Sequence, residues 1–260
     1  MVRVGKENKI NFIKFLGTSG ARFVMIKQLR ASGGLWISCS GTNVLIDPGP
    51  GSIVRCATSR PRLDPSTLDA IILTHRHLDH SGDINVMIEA MTEGGFKKRG
   101  VVFCPKDALE GDPVILKYIR NFVQKMEILK ENQRYRVGNF KFTTSMKHRH
   151  PVETYGLRFK IGRQSVSLLT DSAYFSGLEK FYKADIVIIY VVLFEPRQGI
   201  EHLNLNNVIE LIRLMKPKKV ILSHFGMSML KAKPDTQAQR LTHFLGVQVQ
   251  AAYDGMVLNL

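Results

Sequence analysis

Short apolar runs alternate with helical patterns along the whole 260-residue chain, and this alternation most limits the folds that the chain can adopt. Eleven runs are typical of strands, at 10–16, 35–39, 43–46, 70–73, 101–104, 140–144, 155–161, 166–169, 186–192, 220–222 and 247–250. Four helical patterns lie between them, at 83–92, 178–182, 205–214 and 235–245, and Asn204 is the expected N-cap of the third. The mixture predicts an α/β protein with helices on both sides of the sheet.

The sequence predicts a single domain over residues 1–260, because no Pro/Ser-rich linker or low-complexity tract divides it. We expect this domain to consist of two similar αβ halves that meet near residue 145. The longest uninterrupted apolar stretch, 186–194, is far shorter than the roughly 18 residues that a membrane-spanning helix needs. No interaction with a membrane is therefore expected.

A cytoplasmic location is predicted from two features of the sequence. Residues Met1–Lys9 mix charged and apolar side chains without the apolar core of a signal peptide. The cysteines Cys39, Cys56 and Cys104 are isolated and odd in number, which is typical of proteins in a reducing compartment.

The chain is strongly basic, with 37 Lys and Arg residues against 22 Asp and Glu residues and a net charge of +15. The excess divides almost evenly between residues 1–130 and residues 131–260, so it is not confined to a tail. A field of this sign favours anionic partners such as phosphate-bearing substrates. An ordinary solvated basic surface is the alternative, and composition does not separate the two.

The most specific motif has the pattern H-x-H-x-D-H and follows the apolar run 70–73. It places His75, His77, Asp79 and His80 between a strand and the helical pattern that starts near residue 83. Imidazole is the usual nitrogen ligand of zinc, and close spacing lets several side chains converge at little cost in loop-closure entropy. Asp79 adds an oxygen ligand or a catalytic base, so the motif predicts a metal site.

Further candidate ligands lie at the ends of apolar runs elsewhere in the chain. His150 precedes the run 155–161, Asp171 follows the run 166–169, and His224 follows the run 220–222. Active residues of layered α/β folds collect at the carboxyl ends of strands. Seven ligand-type side chains would then divide between two adjacent ions, with Asp171 suited to bridge them.

These motifs resemble the metallo-β-lactamase fold superfamily, and within it the ribonuclease Z-like and small phosphodiesterase branch. The resemblance covers nearly the whole chain, through the segments 15–20, 45–49, 75–80, 150–156, 170–172, 222–226 and 253–256. It implies an αββα sandwich with two central mixed sheets flanked by helices.

The resemblance also implies roles for individual residues. His75, His77 and His150 would hold one divalent ion, and Asp79, His80 and His224 a second, with Asp171 and a hydroxide between them. Zinc is the expected metal, with manganese and iron as alternatives. His148 competes with His150 as a ligand, but the spacing to the Tyr155–Gly156 pair favours His150.

Two further residues receive roles from the same resemblance. Asp47 would brace the histidine motif without binding metal. His202 resembles the histidine that protonates the leaving group in the ribonuclease Z-like branch, so Asp79 and His202 are the predicted catalytic residues. A surface histidine next to a helix is the alternative interpretation of His202.

A pair of ions that share a hydroxide activates water for in-line attack, so the implied site predicts a dinuclear metal-dependent hydrolase. No Ser-His-Asp or Cys-His motif competes for the role of nucleophile. Flavodiiron relatives carry glutamate where this chain has His77, which disfavours redox chemistry. The commonest zinc β-lactamases carry cysteine where this chain has Asp171, which disfavours antibiotic hydrolysis.

The basic charge favours a small or nucleotide-type phosphodiester as substrate, with RNA as a candidate partner and a homodimer as a candidate assembly. Only 21 positions separate His150 from Asp171, so the long arm that tRNA-processing relatives insert there is missing from this chain. The alternatives are a thioesterase or lactonase, a tRNA 3′-processing endonuclease, and a non-catalytic metal- or RNA-binding protein.

Overall fold

The computed structural model describes residues 11–20 and 22–260. The segment Met1–Lys9, where a signal peptide was not expected, lies outside these residues, as does Ile10 at the start of the first predicted strand. None of the helices in the described part of the chain is long and apolar enough to cross a membrane.

Fourteen strands are described. They are β1 Phe12–Phe15, β2 Leu35–Cys39, β3 Thr42–Ile46, β4 Ala70–Ile72, β5 Val101–Cys104, β6 Lys125–Ile128, β7 Arg134–Val137, β8 Phe140–Lys147, β9 Tyr155–Ile161, β10 Gln164–Leu169, β11 Ile186–Tyr190, β12 Lys219–Ser223, β13 Gln248–Ala251 and β14 Val257–Asn259.

Eight α-helices are described between the strands. They are α1 Phe23–Ile26, α2 Ser52–Thr58, α3 Leu78–Ser81, α4 Ile84–Met91, α5 Leu178–Tyr182, α6 Leu205–Met215, α7 Met227–Lys231 and α8 Pro234–Leu245. Turns of 3₁₀ helix span Pro65–Thr67, Lys106–Ala108 and Lys117–Phe122. The side chain of Asn204 accepts a hydrogen bond from the backbone N–H of Asn207, so the predicted N-cap of α6 is present.

The strands form two mixed sheets of seven strands each. The first has the order β14-β1-β2-β3-β4-β5-β6, and the second has the order β13-β12-β11-β10-β9-β8-β7. The first three pairings in the first sheet are antiparallel and the last three are parallel. Counted from β7, the second sheet repeats this pattern.

The chain passes from the first sheet to the second between Ile128 and Arg134, ahead of the predicted joint near residue 145. Its last strand, β14, then returns to the first sheet beside β1. Each sheet therefore draws mainly on one half of the chain, and the carboxyl end closes the first sheet.

Apolar side chains fill three layers, which explains why helices lie outside both sheets. The central layer packs the facing sides of the two sheets, for example Phe103 against Phe142. The outer side of the second sheet packs against α5, α6 and α8, and the outer side of the first packs against α4. These layers are the αββα sandwich with two mixed sheets that the family resemblance implied.

Candidate metal centre

The predicted histidine motif begins directly beyond β4. Residues 73–77 connect the strand to the helix α3, which begins at Leu78, and they belong to neither element. The motif is therefore not the plain loop that the sequence predicted, because Asp79 and His80 occupy a helical turn. That turn directs both side chains toward the same point as His75, which is fully buried.

The second sheet supplies three more candidate ligands from separate connections. His150 lies between β8 and β9, Asp171 lies two residues beyond β10, and His224 directly follows β12. The backbone of His224 is left-handed, with a φ of 60°, a conformation that a non-glycine residue keeps only where the surroundings enforce it.

The structure brings all seven of the predicted ligands together in two groups. One group contains His75, His77, His150 and Asp171, and the other contains Asp79, His80 and His224. Within each group the ligand-type atoms lie within 4.8 Å of one another. In the first group, His77 Nδ1 lies 3.0 Å from His150 Nε2.

Asp171 faces both groups with its two carboxylate oxygens. Its Oδ2 atom lies 3.7 Å from His75 Nε2 and 3.5 Å from His80 Nε2. Its Oδ1 atom lies 3.3 Å from His224 Nε2. The side chain is 2% exposed, so its charge acts on both groups from a desolvated position.

The donor set fits divalent cations. Among the described residues, the buried atoms His75 Nε2, Asp79 Oδ2, His80 Nε2, Asp171 Oδ1 and His224 Nε2 have no hydrogen-bond partner. Buried polar atoms without partners are costly, and here several of them converge. Ligands about 2.1 Å from a tetrahedral zinc ion lie about 3.4 Å from each other, and the separations from Asp171 are close to this value.

The histidine motif is braced by Asp47, as the resemblance implied. Asp47 Oδ2 accepts a hydrogen bond of 3.0 Å from His80 Nδ1, which leaves Nε2 of that ring directed at the other ligands. The backbone N–H of Thr74 donates to Asp47 Oδ1 at 2.7 Å, and the Thr74 hydroxyl donates to Oδ2 at 2.7 Å.

His148, the alternative to His150, lies behind the site. Its Nδ1–H donates to the backbone carbonyl of Asp171 at 2.9 Å, and its Nε2 hydrogen bonds with the hydroxyl of Tyr182. Both ring nitrogens are thus engaged away from the two groups. His150 occupies the place among the candidate ligands, with its Nδ1 3.2 Å from the carbonyl of Glu201.

The electrostatics of the protein groups prepare several side chains for metal binding. Burial lowers the pKa of His75 well below its usual value, and burial together with His150 lowers the pKa of His77 to about 4. Both rings are therefore neutral at pH 7 and have lone pairs available. Burial alone would raise the pKa of Asp171, but His224 and His202 outweigh it and hold the pKa well below the usual value.

His80 behaves differently, because two carboxylates surround it. Burial by itself would lower its pKa, but Asp79 and Asp47 outweigh this effect and raise the pKa well above the usual value. A cation bound at Nε2 would displace a proton from this ring, so metal binding there is coupled to proton release.

His202, the predicted proton donor, lies at the edge of the two groups. Its Nδ1 atom is 3.7 Å from Asp171 Oδ1, and its ring centroid is 5.2 Å from that of His150. It lines a cleft of about 1230 Å³ that also contains Asp79, His77 and His150. At 13% exposure, His202 is in a position to meet a molecule in the cleft.

Sequence reasoning did not find the roles of Asp254 and Tyr190. The Asp254 carboxylate accepts hydrogen bonds from the backbone N–H and hydroxyl of Thr18 and from the N–H of Ala31. The ring of Tyr190 stacks on that of His224 with centroids 4.7 Å apart. The segment 253–256 had been noted as a motif, but nothing in its local pattern shows what it contacts.

Two glycines let backbone segments approach the candidate ligands. A Cβ atom at Gly49 would lie 2.1 Å from the carbonyl oxygen of Asp79, and one at Gly20 would lie 2.4 Å from that of His224. Both distances are impossible for a side-chain carbon, so these positions require glycine.

The sequence profile of the beta-lactamase superfamily domain matches residues 42–225, which include all seven candidate ligands. The chain belongs to this superfamily. An uncharacterized protein of Methanocaldococcus jannaschii, MJ1374, is 30% identical to the chain over 95% of its length and 94% of that protein. The probable metallo-hydrolase YhfI of Bacillus subtilis is 27% identical over 54% of the chain and 58% of YhfI.

Solved structures confirm the fold. The crystal structure of YhfI covers 96% of the chain and 100% of YhfI with a TM-score of 0.76 and 21% identity. A diphosphatase of the PhnP family gives a TM-score of 0.71 at 19% identity, covering 96% of the chain and 97% of that structure. The short form of human tRNase Z gives 0.66 at 16% identity, covering 95% and 98%. The predicted metallo-β-lactamase fold with ribonuclease Z-like relatives is thus confirmed.

Proposed function

We propose that this chain is a dinuclear metal-dependent hydrolase. The observation that carries the proposal is the convergence of seven ligand-type side chains, several with buried atoms that have no other partner among the described residues. His75, His77 and His150 would hold one cation, and Asp79, His80 and His224 the other. The two oxygens of Asp171 face both groups and suit a bridging role. Zinc is the metal best suited to this nitrogen and oxygen set, with manganese and iron as alternatives.

Divalent cations in such a site supply a nucleophile from water at neutral pH and neutralise charge on the group under attack. The residues of the chain then have separate tasks. Asp79 Oδ2 lies 3.6 Å from His80 Nε2 and 3.5 Å from His224 Nε2. The Asp79 carboxylate would help to hold a cation there and would accept a proton from the attacking water. His202, whose Nδ1 atom lies 3.7 Å from Asp171 Oδ1, would donate a proton to the leaving oxygen.

A phosphodiester is the proposed substrate. The chain carries a net charge of +15 before any cation binds. The cleft is lined by three basic and four acidic side chains, and two divalent cations would make its net charge positive; these side chains are Arg22, Arg197 and Lys231, and Asp79, Asp171, Glu195 and Glu201. Such a field favours anions over neutral esters. Two solved structures of the same fold are named as a diphosphatase and a tRNase Z, which supports phosphoester chemistry in a site of this type.

A small or nucleotide-type diester fits better than a tRNA 3′ end. The β9–β10 hairpin occupies most of the connection between His150 and Asp171 and turns tightly at Gly162. This part of the described chain therefore offers no arm that extends toward a tRNA. Cleavage of tRNA remains an outcome that the substrate assay below would reveal.

Hydrolysis of a lactone or thioester is a second candidate, and the wall of the cleft favours it. Phe23, Ile26, Leu78, Phe194 and Ile200 line the cleft, and most of them are largely exposed to solvent. Exposed apolar side chains at a cleft are typical of a surface that receives an apolar group. Both candidate reactions would use the same metal site, so they differ in the charge of the preferred substrate.

The test compares substrates on protein whose metal content is known. Purified protein reconstituted with zinc or manganese should contain close to two ions per chain. It should hydrolyse bis-p-nitrophenyl phosphate, cyclic nucleotides or short RNA faster than a lactone or a thioester. Turnover of the neutral esters alone would contradict the phosphodiester assignment, and full metal loading with no turnover of any substrate would contradict the proposed hydrolase.

A further inference from the structure

The segment 132–170 carries almost half of the chain's net charge. Of its 39 residues, eight are Lys or Arg and one, Glu153, is acidic, so it carries +7 of the net charge of +15. This concentration is hidden when the two halves of the chain are compared as wholes. The segment contains the strands β7, β8, β9 and β10.

The fold places most of these charges on one face of the second sheet. Alternate residues of a strand point to opposite faces, and in β7–β9 the apolar side chains face the first sheet. The exposed side chains of Arg134, Arg136, Lys141, Arg158 and Lys160 therefore share the outer face. Together with Lys183, which follows α5, they line a shallow groove of about 830 Å³. We refer to these six residues as the basic face.

Strand register brings like charges together on this face. Arg136 lies directly opposite Lys141 across β7 and β8, and Thr143 lies between Arg134 and Arg158 in the adjacent row. Like charges in directly opposed positions destabilise a sheet. The opposed pair Arg136 and Lys141 costs stability in the free protein, and an anion that binds across it would offset this cost.

The chain's own groups do not neutralise the basic face. Among the described residues, none of the six side chains forms an ion pair with a carboxylate. Asp185, two residues after Lys183, accepts a hydrogen bond from the Ser165 N–H and pairs with Lys218 Nζ at 2.8 Å. The helix α5 reaches the edge of the basic face at Arg158, where the guanidinium lies 5.1 Å from the ring of Phe181.

We propose that the basic face binds the phosphate backbone of double-helical nucleic acid. Neighbouring strands are about 4.8 Å apart, and residues i and i+2 of one strand are about 6.7 Å apart, so the charges form a two-dimensional array. A single phosphate group would engage two or three of these side chains, whereas a polyanion engages them all. Contacts of this kind read the backbone and not the base sequence.

The surroundings of the array favour a duplex over other polyanions. Proteins that bind single strands stack bases on exposed aromatic rings, and membrane-binding faces insert apolar side chains beside their basic ones. The large hydrophobic residues that are exposed in the described chain all lie outside residues 129–199. Thr143 and Ser165 lie among the basic residues, and both suit polar contacts to a backbone. The aromatic residues of the groove, Tyr135, Phe142 and Phe159, are buried in the central apolar layer and offer no exposed ring.

This binding goes beyond the proposed hydrolysis and does not depend on it. Arg158 and Lys160 pair with Ser167 and Ser165 of β10, four and six residues before Asp171. The basic face therefore begins about 13 Å from the candidate metal centre along β10 and extends to about 20 Å. It is a second site, separate from the cleft that contains His202.

The experiment measures binding of a fluorescent 20-base-pair RNA duplex, and a DNA duplex of the same sequence, to the zinc-loaded full chain at several salt concentrations. The face variant carries Arg136→Gln, Lys141→Gln and Lys160→Gln. Each phosphate contact contributes about −0.9 to the slope of log K against log salt. The face variant should therefore have a slope that is shallower by about 2 to 3, and bind at least tenfold more weakly at low salt.

A matched control carries Lys98→Gln, Lys117→Gln and Lys216→Gln, three exposed residues that form no ion pair among the described residues. It removes the same charge and should change affinity less than threefold. Equal losses in both variants, or no loss in the face variant, would overturn the proposal. Loss of binding to phosphatidylserine vesicles in the face variant, with its duplex affinity unchanged, would also overturn the proposal.

Thermal melting checks that the face variant is folded. Unchanged hydrolysis of bis-p-nitrophenyl phosphate by the face variant separates this site from the cleft.

Discussion

The two sheets have the same order of antiparallel and parallel pairings, but they build the candidate metal centre differently. The first sheet supplies four of the seven ligand-type side chains from the six residues His75–His80, directly beyond β4. The second supplies three, one each from connections that lie far apart in sequence. One half of the site is therefore local and can be recognised in a short motif. The other half exists only when the second sheet has folded.

Replacing Asp171 is the most severe test of the second sheet's part of the metal centre, because the Asp171 carboxylate faces both groups of ligands. Asp171→Asn keeps the size of the side chain but removes the charge that lies 3.3 Å from His224 Nε2 and 3.7 Å from His75 Nε2. We expect the rate of the proposed phosphodiester hydrolysis to fall by on the order of 10³-fold or more, since loss of several kcal/mol at a metal site has this effect. Metal analysis should show fewer than two ions per chain.

Replacing His150 and His148 in turn tests the assignment further, since His150 belongs to a ligand group and His148 lies behind it. His150→Ala should reduce the metal content to near one ion per chain, because it removes a member of one group only. His148→Gln retains a hydrogen-bond donor toward the Asp171 carbonyl and should keep the wild-type metal content. The opposite pattern would show that His148 is the ligand and would contradict the assignment.

His202 has the next largest expected effect, and it depends on the substrate. General-acid catalysis contributes about 10²- to 10⁴-fold when the leaving group is poor and little when it is good. His202→Ala should therefore lose that much rate on a dinucleoside monophosphate but little on bis-p-nitrophenyl phosphate. His243→Ala, an exposed histidine of α8, is the matched control. Equal losses on the two substrates would remove the proton-donor role from His202.

The sequence predicted the interior strands but not three strands at the edges of the sheets. β6 and β14 are the edges of the first sheet and β7 is an edge of the second. An edge strand pairs on one side only and tolerates charge, so its apolar pattern is weak. β7 reads Arg-Tyr-Arg-Val, where the single buried residue is Tyr135. The short helices α1, α2, α3 and α7 were not predicted, because four to seven residues give only a weak helical period; of the helices of this length, α5 was predicted.

The site shows the same division between local and distant information. The spacing of the histidine motif predicted its metal-binding character, whereas His150, Asp171 and His224 became credible only through their positions at strand ends and the family resemblance. The anchoring of Thr18 and Ala31 by Asp254 spans more than 220 residues of sequence. Contacts at that separation leave no local pattern, so the sequence did not predict them.

Replacing Asp47 tests the first sheet's part of the metal centre, and we expect a smaller effect than for Asp171. Asp47→Asn retains an oxygen that accepts from Thr74 but loses the charge that orients His80 through its 3.0 Å contact with Nδ1. Partners of metal-ligating histidines typically contribute 10- to 100-fold to metal affinity or activity. We expect a loss in that range, measured as zinc affinity by competition with a chelator. Asp112→Asn, an exposed residue near the motif, is the control and should change affinity less than twofold.

The smallest expected effect concerns the helix that follows His202. Asn204 and Asn207 each accept a hydrogen bond from the other's backbone N–H, at 3.1 and 3.2 Å, and this fixes the start of α6. Asn204→Ala should cost about 1 kcal/mol of stability, a shift of roughly 2–4 °C in the melting temperature for a chain of this size. Asn206→Ala, exposed in the first turn, should shift it less. Because His202 lies two residues before the cap, the activity on a dinucleoside monophosphate should fall by less than threefold. A loss as large as that of His202→Ala would mean that the second sheet's contribution to the site depends on the helix terminus as strongly as on the histidine itself.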